Sequence, residues 1–158
     1  MHQQPLPQIV LVAHNIRSLH NVGAMFRTAD GCGVSRVYLT GYSGTPPRDM
    51  IAKTALGAEL AVPWEHHRAV IPLLRKLRKA GYQVLALECA PKARLLSTFR
   101  PHFPVALVFG NEVTGLSPVV LRAADEVVAI PMLGVKASYN VSVACGMALY
   151  ALRFGRRK

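Results

Sequence analysis

The chain's 158 residues allow one domain with a real core, and although 51% are hydrophobic, the longest apolar runs fall well short of the ~20 residues of a membrane helix. No basic stretch leads into an apolar core at residues 1–8, and Cys32, Cys89 and Cys145 are odd in number with no C-x-x-C spacing, which argues against a secretory signal, a disulfide framework or a zinc site and for the reducing cytoplasm. Nineteen Lys and Arg against eight Asp and Glu give a net charge of +11, which favours a polyanionic partner, nucleic acid first, over a basic protein with no ligand.

A short apolar strand is predicted at residues 9–13, followed by a helix capped by Asn21, carrying Ala24, Met25, Phe26 and Ala29, and ending at Gly31 or Gly33. Residues 36–40 read as a second strand and 41–47 as a Gly- and Pro-rich loop. A short helix is expected over 53–60. Val70, Leu73, Leu74 and Leu77 keep the i, i+3, i+4, i+7 spacing of an amphipathic helix, with Pro72 tolerable only near its start and Gly81 as its end. Strands follow at 82–87, 105–109 and 127–130. Ser117 and Pro118 suit the cap and first position of a short helix between the last two.

The final helix, over about 140–154, is apolar nearly all round: Val141, Val143, Ala144, Met147, Ala148, Leu149, Ala151 and Leu152. Such a helix needs cover on more than one side, from a second subunit or from deep burial in a monomer, and a homodimer through this helix is the expectation. Alternating strands and helices give an α/β fold with a mostly parallel sheet flanked by helices. There is no internal repeat or dividing linker.

Two basic clusters stand out, Arg75, Lys76, Arg78 and Lys79 on the amphipathic helix and Arg153, Arg156, Arg157 and Lys158 at the end. Each is either a solvated face or an RNA contact, and cations at a helix C-terminus also suit its dipole. Arg36, Arg48, Lys53, Arg68, Lys92, Arg94 and Arg100 are spread through loops and helix ends.

Three separated segments carry polar groups after apolar runs: residues 15–29, residues 109–116, and residues 130–132 leading into 138–144. If the strands before them are neighbours, the polar groups converge on one edge of the sheet, where open α/β sheets place ligands. Together the segments resemble the SpoU/TrmH branch of the SPOUT RNA methyltransferases. The likeness rests on Asn15, Asn21, Gly23, Arg27 and Thr28, on Phe109-Gly110-Asn111-Glu112 with Gly115-Leu116, and on Ile130-Pro131-Met132 with Ser138-Tyr139-Asn140-Val141-Ser142-Val143-Ala144. It spans nearly the whole chain, so residues 1–158 are expected to form a single catalytic domain without a separate RNA-binding extension.

The resemblance implies a C-terminal trefoil knot, which composition and periodicity never suggest. It implies S-adenosyl-L-methionine as cofactor, held by backbone atoms of the knot loops, with no metal, and transfer of its methyl to a ribose 2′-hydroxyl of tRNA or rRNA. Leu87, Gly110, Ile130, Met132 and Tyr139 are then the cofactor-binding residues, Gly110 allowing close backbone approach. Tyr139 stands where the family more usually has Leu, and its ring either stacks on adenine or narrows the pocket. Arg27, Asn21, Glu112, Ser138 and Asn140 are the expected catalytic set, and Asn15, Arg17, His20, Arg36, Arg48 and Lys53 the expected RNA contacts.

The chemistry leaves roles open within that set. The family's proposed base matches Arg27, but arginine is effectively always protonated. A phosphate beside the ribose is a better proton relay, with Arg27 holding phosphate and 2′-oxygen together. Otherwise Arg27 simply pairs with a carboxylate such as Glu112. Glu112 either orients Arg27 or Asn21 or merely accepts loop N–H groups. Ser138 and Asn140 either cap the last helix or position the nucleotide, or both. His14 and His20 read as surface or RNA-facing, and Asn15 as a loop brace. A non-catalytic RNA-binding protein that keeps this fold is the alternative, and a methyltransferase for something other than RNA sits poorly with the basic surface.

Overall fold

In the computed structural model, which describes residues 5–155, strands β1 (Ile9–His14), β2 (Arg36–Thr40), β3 (Trp64–His67), β4 (Gln83–Leu87), β5 (Arg94–Leu95), β6 (Val105–Phe109) and β7 (Glu126–Ala129) form one sheet. Its order is β3-β2-β1-β6-β4-β7-β5, and every pairing is parallel. The central strands β1 and β6 pair from Ile9 opposite Val105 to Ala13 opposite Phe109. Both are buried on two faces, which is why they read as unbroken apolar runs.

Among the described residues six helices cover the sheet: α1 (Leu19–Gly31), α2 (Asp49–Ala55), α3 (Ala58–Ala61), α4 (Val70–Lys79), α5 (Pro118–Ala123) and α6 (Val141–Phe154). Ile9, Leu11 and Ala13 face one layer, packed with residues of α1, α2, α3 and α6. Val10 and Val12 face the other, against α4 and α5. All four apolar positions of α4 are buried, and Pro72 lies in its first turn, where no intrahelical N–H is missed.

Three expectations change here. The cap of α1 is Ser18, whose hydroxyl accepts from Asn21 N at 3.2 Å, which leaves the Asn21 side chain free for other work. The helix expected over 53–60 is two, broken at Leu56 and Gly57, both at positive φ (52° and 93°). Strands β3 and β5 were not expected at all. In α6, Cys145, Ala148, Leu149 and Leu152 are buried against the core, while Val143, Met147, Tyr150 and Phe154 form an exposed stripe that this chain alone does not cover.

Arg153 also leaves the basic tail to which it was assigned. It is buried, and its guanidinium donates to the carbonyls of Cys32 (2.8 Å), Pro7 (2.6 Å) and Gly33 (2.9 Å), tying α6 to the N-terminal half. Arg156, Arg157 and Lys158 lie outside the described residues. On α4, Arg75, Lys76 and Lys79 are exposed, whereas Arg78 is bound by Asp125 (3.0 Å) and the Ala123 carbonyl (2.6 Å).

Candidate active site

From β1 the chain runs outward to β2 and β3, and its second half fills the other side of β1, starting with β6. Where the strand order of a parallel sheet reverses between two neighbouring strands, a crevice is left at their C-terminal ends. The three polar segments meet there: residues 15–21 after β1, 110–116 after β6, and 130–141 between β7 and α6.

Glu112 joins the first two. Its carboxylate accepts Arg17 N (3.1 Å), Ser18 N (3.0 Å) and the Asn21 side-chain amide (3.2 Å), at the N-terminus of α1 where free N–H groups and the helix dipole favour an anion. Partial burial alone raises the Glu112 pKa. The N–H groups of Ser18, Glu112 itself and Arg17, with the Asn21 amide, outweigh burial and hold the carboxyl below its ordinary value. Asn21 then reaches the third segment, its Oδ1 accepting from Asn140 Nδ2 at 3.4 Å. Asn140 caps α6, its Oδ1 accepting from Ser142 N (3.0 Å), Ser142 Oγ (2.6 Å) and Val143 N (3.4 Å). A single polar chain, Glu112–Asn21–Asn140–Ser142, thus links all three segments.

Asn111 fastens the same loops from below. It is buried, and its Nδ2 donates to the Asn15 carbonyl (3.1 Å) and to Tyr42 Oη (2.7 Å), while its Oδ1 accepts from Val113 N and Thr114 N (2.8 and 2.9 Å). Gly110 is needed for packing: a Cβ there would lie 2.8 Å from the Gly115 carbonyl oxygen and 2.7 Å from Leu116 Cδ2. Asn15 is the brace it was expected to be, at φ 55°, with Oδ1 accepting from Tyr42 N (3.1 Å). That bond fixes the amide, so Asn15 Nδ2 donates to His14 Nε2 (3.2 Å) and His14 Nδ1 donates to Thr40 Oγ1 (2.9 Å). His14 is therefore not a surface group. Burial pushes its imidazole below the ordinary value, toward the neutral form these bonds require.

Beside the polar chain lies a cavity of about 290 Å³, walled by Leu87, Ile130, Tyr139, Val141 and Ala144, by Gly110 and its loop, and by two carboxylates, Glu88 and Glu112. Glu88 is fixed by Leu116 N (2.8 Å) and Cys89 N (3.1 Å). Of the residues assigned to the cofactor, Leu87, Gly110, Ile130 and Tyr139 line this cavity and Met132 does not. Ser138 lines it too but caps nothing.

Arg27 is exposed on α1, about 9 Å further along the axis than Asn21 and on a different flank. Among the described residues it pairs with no carboxylate, and Glu112 serves Asn21 instead. The expected RNA contacts scatter more widely. Arg17 and Arg48 line a second cavity of about 560 Å³ beside the first. His20 and Lys53 are exposed nearby on α1 and α2. Arg36 begins β2, a strand's length from this edge, and is paired with Glu65 at 2.6 Å. Sequence reasoning passed over Glu88, Tyr42 and the single Trp64, for which no spacing or motif gave a signal.

Comparison with known proteins agrees with this geometry. The chain is 33% identical over 144 residues to the tRNA (guanosine(18)-2′-O)-methyltransferase of Escherichia coli K12, covering 91% of this chain and 62% of that protein. It is 32% identical over 147 residues to a 23S rRNA (guanosine-2′-O-)-methyltransferase of Neisseria meningitidis, covering 93% and 58%. An AdoMet-bound rRNA methyltransferase from Sinorhizobium meliloti superposes with a TM-score of 0.86 at 30% identity, over 97% of this chain and 58% of that one. The chain thus spans about three fifths of the length of these relatives. With residues 8–150 matching its family model, the chain belongs to the SpoU rRNA methylase family.

Proposed function

We propose that the chain is an S-adenosylmethionine-dependent RNA methyltransferase acting on a ribose 2′-hydroxyl of tRNA or rRNA. The observation that carries this is the polar chain from Glu112 through Asn21 to Asn140, set against a cavity with an apolar wall and two carboxylates. The cavity fits the cofactor. Leu87, Ile130 and Tyr139 offer apolar and aromatic surface to an adenine, and Glu88 and Glu112 offer negative charge to a sulfonium and an ammonium in a protein that is otherwise strongly basic. When bound, S-adenosylmethionine supplies an electrophilic methyl group that needs no metal to activate it.

The chain's own residues hold the other partner. Glu112 fixes the Asn21 amide, and Asn21 with Asn140 and Ser138 orients the ribose at the mouth of the cavity. Orientation of this kind contributes several kcal/mol to a bimolecular transfer, up to ~7–11 in the best cases. A guanidinium offers N–H donors and no acceptor, so Arg27 positions the 2′-oxygen and a neighbouring phosphate, and that phosphate accepts the hydroxyl proton. Its lack of an ion-pair partner among the described residues supports this role.

Two further parts of the reading concern architecture. The first is a trefoil knot. Strand β7, late in the chain, sits in the sheet between the earlier strands β4 and β5, a strand order that supports this reading. The second is a homodimer through α6, where Val143, Met147, Tyr150 and Phe154 offer an apolar stripe that begins beside the cavity. No helix among the described residues is long and apolar enough to cross a membrane, which suits a cytoplasmic RNA-modifying enzyme. The test is calorimetric binding of S-adenosylmethionine followed by tritium transfer from it to total RNA. Binding and ribose-linked label are expected. RNA binding with neither would leave a non-catalytic RNA-binding protein.

A further inference from the structure

The second cavity is tied to the first by hydrogen bonds between their linings. Arg17 lines it while its backbone N–H holds Glu112, and Tyr42 lines it while its hydroxyl accepts from Asn111. The remaining wall includes Arg48, from the segment after β2, and Trp64 and His66, from the edge strand β3 itself. We propose that this groove binds a nucleotide of single-stranded RNA that flanks the one being methylated. The assignment rests on the methyltransferase reading for the word flanking, but not for the groove's chemistry.

That chemistry has three components. Arg17 and Arg48 are exposed and have no ion-pair partner among the described residues, so their charge is available to phosphate. Trp64 is partly buried and packed on the core, and Tyr42 is 60% exposed but pinned at its hydroxyl and at its backbone N. Aromatic rings anchored in this way are platforms on which a base stacks without sequence preference. His66 adds a fixed polar edge. Its Nε2 donates to the Gly41 carbonyl at 2.9 Å, which makes Nδ1 the acceptor of the neutral ring. About 560 Å³ lies within the range of small-molecule sites. Cations, aromatics and volume together fit a nucleotide, whereas an apolar peptide would leave both arginines unpaired.

Trp64 is the only tryptophan in the chain, so it reports directly on the groove. The full chain is titrated with a short oligouridylate while its intrinsic fluorescence is followed at several salt concentrations. Saturable quenching is expected. Arg48→Ala, an exposed site, should weaken binding and make the log–log salt slope shallower by ~0.7, the value for one phosphate contact on a single strand. Trp64→Phe keeps the packing but shrinks the platform. Followed by anisotropy of a labelled oligouridylate, it should weaken binding at least threefold at unchanged circular dichroism. Absence of quenching, an Arg48→Ala affinity and slope equal to the parent's, or equal quenching by oligoglutamate would each overturn the assignment. Failure of S-adenosylmethionine to bind while oligouridylate still quenches Trp64 would overturn the methyltransferase reading and leave the groove intact.

Discussion

Replacing Glu112 by Gln tests the centre of the site. The carboxylate accepts three N–H groups, two of them backbone donors from Arg17 and Ser18. Glutamine offers one oxygen and one NH2, so at least one donor meets another donor. Hydrogen bonds to a charged acceptor are worth ~1.5–3 kcal/mol each when buried. These are 3.0–3.2 Å long and partly exposed, so solvent screening reduces the sum to ~1–2 kcal/mol. For a chain of this size that is a fall in Tm of ~2–8 °C. Because the folded-state pKa of Glu112 lies below its ordinary value of 4.5, this stability is fully present above pH 4.5 and disappears as pH falls through the lower folded value. Scanning calorimetry of both proteins at neutral pH and through the acid range should show the two melting curves converging at low pH. Methyl transfer at neutral pH should fall at least tenfold as Asn21 loses its tether. Equal Tm at neutral pH, or a difference that persists unchanged below the folded pKa, refutes the anchoring role.

Arg27→Ala should abolish methyl transfer to RNA while leaving the calorimetric affinity for S-adenosylmethionine within about twofold, since Arg27 does not line the cofactor cavity. Equal loss of both would mean that Arg27 supports the fold of the pocket. Gly23→Ala places a Cβ against the Thr54 side chain and the Ile51 carbonyl, so α1 and α2 must part; a destabilisation of ~1–3 kcal/mol is expected by chemical denaturation, despite alanine's better helix propensity. Tyr150→Glu, on the exposed stripe of α6, should shift sedimentation from dimer to monomer with the circular dichroism spectrum unchanged, and a monomeric parent would remove the dimer proposal.

What the sequence made legible was whatever depends on periodicity or on a run of neighbours. Val70, Leu73, Leu74 and Leu77 all point inward, and Ser117 caps α5 as its spacing required. Strand β3 escaped because Trp-Glu-His-His has no apolar alternation at a sheet edge, and β5 because two exposed residues make no pattern. The capping error on α1 has a related origin: Ser18 and Asn21 are both good caps three residues apart, and only the position of Glu112 decides between them. Arg153 read as one more basic residue near the chain end because its acceptors are backbone carbonyls, which carry no side-chain signature. The groove around Trp64 was invisible for the opposite reason, since its parts come from two loop regions and the edge strand β3, which only the sheet order places together.

The pairing of β1 with β6 sets a timetable for synthesis. Residues 9–13 are among the most buried in the chain and strongly β-forming, and one edge is closed early, when Val10 meets Arg36. The other edge waits for Val105, opposite Ile9, which at translation rates of ~5–20 residues per second comes ~5–20 s later. During that interval the nascent chain displays an uncharged, unpaired strand edge, a template for the wrong partner. A fragment ending between β3 and β4 should therefore be insoluble alone and recover when the remainder of the chain is supplied beside it.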